Sequence, residues 1–194
     1  MLIILDNGHG MDTKGKRSPV WSDGSQLIEA EFNRDIVNRI ARKLNILDVP
    51  YAILVSELND VPLEERCRRA NMWHEAYDRD SVLISVHANA GGGKGWEVFT
   101  SPGETKADGI ATIIAEQAKA EFEPDGFKMR FDHTDGDPDK EADFYILKHT
   151  KCPAVLTENF FYDNEAECRF LMSEEGRERI ANMHVKSILK IIEK

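Results

Sequence analysis

The chain has 194 residues, of which 41% are hydrophobic and 31% are charged, and its formal net charge is -10 at pH 7. This length and composition fit one soluble globular domain and leave no room for a second sizeable core. The acidic balance and the lack of a basic run argue against binding to a nucleic-acid backbone or docking on an anionic membrane. No apolar run reaches transmembrane length, so we expect no membrane insertion.

The order of apolar and amphipathic segments predicts the fold class. Apolar runs predict six strands, over residues 1–5, 50–55, 81–86, 96–100, 144–147 and 154–157. Apolar residues at helical spacing predict five helices, over residues 29–44, 62–77, 105–122, 164–171 and 176–192. This alternation predicts a single α/β domain over residues 1–194, with a twisted, mostly parallel sheet of about six strands and helices on both faces.

Three further features of the sequence limit the interpretation. The cysteines Cys67, Cys152 and Cys168 form neither a CxxC pair nor a disulfide pattern, so we expect small buried side chains. The segment 123–143 is rich in aspartate, but its spacing does not match an EF-hand, which favours an acidic solvated loop over a calcium site. The first residues resemble a strand and not a secretory signal, so we expect synthesis in the cytoplasm and another route to the outside, unless a leader has been removed.

Chemically active side chains follow the predicted strands at the point where each strand ends. His9 comes directly after the first strand between two glycines, His87 follows the third strand, and Glu158 follows the last. In an open parallel sheet, ligands bind outside the carboxyl ends of the strands. Glu29 begins the first predicted helix after a long polar loop and can fold back over the same edge.

Two imidazoles and one carboxylate are a known donor set for catalytic zinc, and they leave one position open for water. Bound zinc lowers the pKa of water toward about 7 and polarises a carbonyl oxygen. A second carboxylate can accept the proton of the water and pass it to a leaving amine. The four side chains therefore predict metal-assisted hydrolysis of an amide or an ester.

Five spaced fragments together resemble the zinc-dependent N-acetylmuramoyl-L-alanine amidases, the family of the bacterial cell-separation amidases. The fragments are DNGHG at 6–10, EAEFN at 29–33, LEER at 63–66, SVHANA at 85–90 with GWEV at 95–98, and CPAVLTE at 152–158. They occur in the order of the family and extend over nearly the whole chain, from residue 2 to about 192.

The resemblance implies a role for each matching residue. It assigns zinc binding to His9, Glu29 and His87, and the catalytic carboxylate to Glu158. It also implies one Zn²⁺ ion, a peptidoglycan or muropeptide substrate, and cleavage of the amide between N-acetylmuramic acid and L-alanine. A single domain without a leader suits a phage or prophage endolysin. The oligomeric state is left open.

The chain departs from the family pattern at two places. Asn7 stands where proline is usual, which we expect to alter the loop without touching the ligands. The residues after Glu158 are Asn159-Phe160-Phe161, where a Gly-Phe type continuation is commoner, so we expect a different local substrate wall.

Several residues have competing interpretations. Glu31 competes with Glu29 as the carboxylate ligand, but the two point to different sides of the helix, and the family register favours Glu29. Asn89 either binds a substrate carbonyl or caps its own turn. His149 is a candidate for contact with substrate or the oxyanion, and is otherwise a loop residue.

The remaining polar and aromatic candidates have structural interpretations. We expect His74 and His184 on the polar faces of helices and Arg66 in a structural ion pair. For Trp96 and Phe160, core packing is the default and a place in the cleft is the alternative.

Two other functions remain open from the sequence. One is a catalytically silent module that binds wall fragments or a partner. The other is a zinc hydrolase of a different substrate, such as a peptidase or a deacetylase.

Overall fold

A six-stranded sheet forms the centre of the fold in the computed structural model, which describes residues 1–193. Within these residues the strands are β1 (Leu2–Asn7), β2 (Tyr51–Ile53), β3 (Ser81–Asn89), β4 (Glu97–Thr100), β5 (Lys140–Glu141) and β6 (Ala154–Phe161). The α-helices there are α1 (Glu29–Ile46), α2 (Leu63–Ala76), α3 (Lys106–Phe122), α4 (Tyr145–His149), α5 (Glu165–Met172) and α6 (Glu174–Ile192).

The strands lie in the order β2-β1-β3-β6-β4-β5, and every neighbouring pair is parallel except β4 with β6. The central strands β1, β3 and β6 are almost entirely buried, as expected for parallel strands covered on both faces. The predicted α/β architecture with a mostly parallel sheet is therefore confirmed.

Alternate residues of the sheet face two separate apolar layers. Ile3 and Leu5 of β1 belong to the larger layer, which includes residues of α1, α3, α5 and α6. Leu2 and Ile4 face a smaller layer with residues of α2 and α4. Trp96 and Phe160 are fully buried in the larger layer, so both are core residues.

One predicted strand is wrong. Residues 144–147 were expected to be extended, but α4 begins at Tyr145. Ile146 and Leu147 are neighbours and both are buried, whereas Phe144 and Tyr145 are exposed, which is the pattern of one helical turn against a core. Such a short apolar run does not distinguish helix from strand by its periodicity. The remaining strand of the sheet is β5, which consists of two charged residues and has no apolar residue from which it could be predicted.

Two predicted surface histidines are buried. His184 is fully buried in α6, where its Nδ1 lies 2.8 Å from the Ile180 carbonyl oxygen and its Nε2 lies 3.0 Å from Thr157 Oγ1. His74 is also buried, and its Nδ1 lies 2.8 Å from Ser81 Oγ. Two of these partners lie on strands of the sheet and the third lies one turn earlier in α6. The polar residues beside each histidine in the sequence therefore did not indicate that its side chain is exposed.

The three cysteines are buried and unbridged, which confirms their interpretation as small core side chains. Among residues 1–193, no helix combines the length and the apolar character that crossing a lipid bilayer requires.

Candidate metal centre

The pairing of β1 with β3 sets the position of the first histidine loop. Asn7 lies opposite Val86, and the next residue, Gly8, donates its backbone N–H to the Val86 carbonyl oxygen at 3.2 Å. This places Gly8 against the imidazole of His87. A Cβ atom at Gly8 would lie 2.0 Å from His87 Cε1, so only glycine fits there.

His9 follows in a backbone conformation that side-chain-bearing residues rarely adopt, with a φ of +65°. The buried guanidinium of Arg66 supports the loop by donating to the carbonyl oxygens of Asn7 at 2.9 Å and His9 at 3.2 Å. Arg66 also forms a buried ion pair with Asp6 at 2.7 Å, which confirms the predicted structural ion pair. Strained conformations of this kind persist only where the surrounding structure supports them.

Glu29 brings the first helix into the same place. Its carboxylate is 1% exposed, and Oε1 lies 3.3 Å from His9 Nε2 and 3.1 Å from His87 Nδ1. One ligand atom from each of these three residues lies within 4.8 Å of the others. The competing residue Glu31 is exposed to solvent. The structure thus gathers three predicted ligands from three distant parts of the chain.

The donor set fits a metal ion such as zinc, which takes imidazole nitrogen and carboxylate oxygen. Glu29 Oε2 is buried and has no hydrogen-bond partner among the described residues. Burial opposes ionisation of Glu29, but the side chains of His87 and His9 outweigh it and hold the pKa of the carboxyl far below its usual range. An ionised, buried carboxylate whose Oε1 faces two imidazoles is ready to receive a cation.

Glu158 lies directly beside His87 in the paired strands β3 and β6. Side chains alternate between the two faces of a strand, so His87 lies on the same face as Leu83, and Glu158 lies on the same face as Leu156. Both therefore face the layer of α2 and α4. Burial raises the pKa of Glu158 to about 7; His87 opposes this shift, and the charge of Glu29 adds to it. Its Oε2 is buried and unpartnered among residues 1–193. A carboxyl group with a pKa near neutrality suits transfer of a proton in both directions.

A cleft of about 320 Å³ lies next to the two histidines, on the side of α2 and α4. The residues that line it are Asp6, Gly8, His9, Thr13, Asp60, Val61, Pro62, Leu63, Arg66, His87 and Ile146.

Asn89 and His149 do not join the cluster. The Asn89 amide donates to Glu97, and its oxygen accepts from the Ala90 N–H at 2.7 Å, which is the turn-capping role. His149 is exposed, stacks on Tyr145 with ring centroids 3.9 Å apart, and lies in α4, before β6 begins. Glu158 lies further along β6, toward the opposite end of that strand.

Sequence reasoning missed several residues that support the centre. Asn159 donates to the His87 carbonyl oxygen at 2.9 Å and accepts from the Trp96 indole at 3.0 Å. Asn33 donates to the Gly8 carbonyl oxygen at 3.0 Å, and Lys16 Nζ lies 3.7 Å from Glu29 Oε2. These contacts bridge distant segments, and for Lys16, in a long polar loop, the sequence offered no signal.

Known proteins resemble this chain over nearly its full length. An endolysin of Bacillus phage SPP1 is 30% identical over 200 residues, covering 98% of this chain and 66% of the relative. The N-acetylmuramoyl-L-alanine amidase CwlM of Bacillus licheniformis is 30% identical over 194 residues, covering 97% of this chain and 67% of the relative. The chain therefore spans about two thirds of the length of these relatives.

The fold is also that of a solved structure. An N-acetylmuramoyl-L-alanine amidase from Clostridium difficile 630 superposes with a TM-score of 0.84 at 23% identity, covering 100% of this chain and 97% of the other. The family described as N-acetylmuramoyl-L-alanine amidase matches residues 3–190. With the family pattern matched along the chain and its fold reproduced, the protein belongs to the N-acetylmuramoyl-L-alanine amidase family.

Proposed function

We propose that this chain is a zinc-dependent hydrolase that cleaves the amide bond between N-acetylmuramic acid and L-alanine in peptidoglycan. The observation that carries the proposal is the convergence of His9, Glu29 and His87 at one edge of the sheet, with Glu158 beside them. Membership of the amidase family supports the choice of substrate. The similarity to a phage endolysin supports a role in lysis of the cell wall.

Each residue has a defined task in this proposal. His9 Nε2, His87 Nδ1 and a Glu29 oxygen would hold the ion, since these are the atoms that face one another. Zinc bound there would polarise the amide carbonyl and lower the pKa of water. The buried Arg66 keeps the His9 loop in its strained conformation, and Asn159 anchors the backbone of His87.

Glu158 moves the proton. Its carboxylate accepts a proton from the attacking water and then donates it to the nitrogen of the departing L-alanine. Burial lifts its pKa toward neutrality, which helps the protonated form act as the acid in the second step. We assign no role to Asn89 or His149, because the first is already paired with Glu97 and the second lies outside the cleft.

The test is digestion of purified peptidoglycan with the zinc-loaded protein, followed by analysis of the new termini. We expect new L-alanine amino termini. Glu158→Gln should lower the rate by at least about 100-fold, within the range for loss of a general acid-base group, while zinc binding is retained. Glu31→Gln is the matched control, because that carboxylate is exposed on α1 and its loss should leave the rate unchanged.

Other products would support the competing functions. New termini from cross-bridges would indicate a peptidase, and free acetate would indicate a deacetylase. Binding to the wall without any new terminus would indicate a silent binding module. Full activity of Glu158→Gln would contradict the assigned proton transfer.

A further inference from the structure

The acidic segment between α3 and α4 is not uniformly solvated, contrary to the expectation from its composition. Asp139 is 2% exposed, although it lies in a segment with five other aspartates. A buried carboxylate is costly unless a proton, a hydrogen-bond donor or a cation compensates its charge. The surroundings of Asp139 therefore show whether its charge is compensated.

The two oxygens of Asp139 have different environments. Oδ2 accepts a hydrogen bond from Thr100 Oγ1 at 2.6 Å, at the end of β4. Oδ1 is buried and has no partner among residues 1–193. The carboxylate of Asp137 lies close to this residue, because its Oδ1 accepts the backbone N–H of Asp139 at 3.3 Å. The carboxylate of Asp137 thus lies against the backbone of a residue whose own carboxylate keeps one buried oxygen without a donor.

Basic side chains do not neutralise this pair. Within the described residues, neither Asp137 nor Asp139 forms a salt bridge, and the adjacent Lys140 pairs with Glu97 instead. Asp108 adds a further negative charge nearby. Burial, followed by the contact with Asp137, raises the pKa of Asp139. A buried carboxylate without a basic partner is stabilised by a proton or by a cation.

We propose that Asp137 and Asp139 bind a calcium ion at the start of β5, separate from the His9–Glu29–His87 centre. The donors are carboxylate oxygens, which a hard cation such as Ca²⁺ prefers, and backbone carbonyl oxygens and water commonly complete its shell. The His9–Glu29–His87 centre also offers imidazole nitrogen, so it suits a different kind of metal ion.

The position of this pair explains what the ion would do. β5 follows directly and pairs with β4, with Thr100 opposite Glu141. This pairing involves only two residues of β5 and has no apolar anchor within them. A bound calcium ion would hold the long acidic segment against the end of β4 and stabilise this edge of the sheet.

The experiment uses the full chain with its histidine centre saturated with zinc, so that added calcium reports on the second site. Calcium binding is measured by titration calorimetry, and stability by thermal unfolding. We expect one Ca²⁺ per chain and a rise in Tm of about 5 to 10 °C when calcium is about 100 times its Kd.

Two variants locate the site. Asp139→Asn removes the charge and keeps a hydrogen-bond acceptor for Thr100, so calcium should no longer bind or raise the Tm. Asp135→Asn is the matched control, because that side chain is exposed in the same segment and should leave both effects intact. If Asp139→Asn does not fold, Asp137→Asn replaces it, since it retains the contact between Asp139 and Thr100.

Two results would overturn the proposal. The first is that the unchanged protein shows no heat of calcium binding and no change in Tm up to about 10 mM calcium. This concentration is about tenfold above the Kd of the weakest usual calcium sites in proteins. A shared proton would then explain the pair. The second is an equal calcium response in the unchanged protein and in the folded Asp139→Asn variant.

Discussion

The buried histidine of α6 makes the stability of this protein sensitive to mild acid. His184 is fully buried, with one ring nitrogen facing the Ile180 carbonyl oxygen and the other facing the Thr157 hydroxyl. Since a carbonyl only accepts, Nδ1 donates to Ile180. Burial favours the neutral ring, in which Nε2 accepts from the Thr157 hydroxyl. Protonation at Nε2 would reverse the role of the Thr157 hydroxyl and bury a positive charge.

The magnitude follows from the difference in pKa between the folded and unfolded states. Burial lowers the pKa of His184 from 6.5 to about 4. Between these two values the unfolded chain binds one more proton, so the free energy of unfolding falls as the pH falls. The full stabilisation is present above pH 6.5. About 2 kcal/mol should be lost by pH 5 and about 3 kcal/mol by pH 4, at 1.36 kcal/mol per pH unit.

The assay is urea unfolding at pH 7 and pH 5, for the unchanged protein and for His184→Gln, which does not titrate. The difference between the two proteins isolates His184 from other groups. Glu158 contributes with the opposite sign, because its raised pKa gives stability that is lost as the pH rises toward about 7. That contribution is common to both proteins. If the free energy of unfolding fell equally between pH 7 and pH 5 in the unchanged protein and in His184→Gln, the role of His184 would be refuted.

Two further substitutions test the support of the metal centre. Gly8→Ala should weaken zinc binding by at least about 10-fold, because its Cβ would displace the neighbouring imidazole; a zinc titration against a chelator measures this. Gly109→Ala, where added atoms meet open space within a helix, should leave zinc affinity unchanged. Arg66→Met should lower the free energy of unfolding by about 3 to 5 kcal/mol in urea, because it leaves Asp6 buried without its partner. Arg68→Met, on the exposed side of the same helix, should cost less than about 1 kcal/mol; equal effects of the two would contradict this assignment.

Much of the fold and of the candidate site could be predicted from the sequence because the signals are local. Apolar runs mark β1, β3 and β6, and the residues that follow these runs are His9, His87 and Glu158, although β3 and β6 continue beyond His87 and Glu158. The carboxyl ends of neighbouring parallel strands meet at one edge, so local patterns were sufficient to predict this grouping. Helix periodicity likewise placed Glu29 at the start of α1.

Only the tertiary structure decided which polar groups are buried and what they contact. His184 and Asp139 lie in polar stretches of sequence, yet each is enclosed because its partner lies on a strand far away in the chain. The antiparallel direction of β4 and the two-residue β5 depend on pairing with distant segments. The sequence by itself determined the core and the edge where the chemistry would lie, because hydrophobic periodicity acts over a few residues. The structure alone determined the environment of each charge, because solvation and electrostatic interactions depend on neighbours brought together by folding.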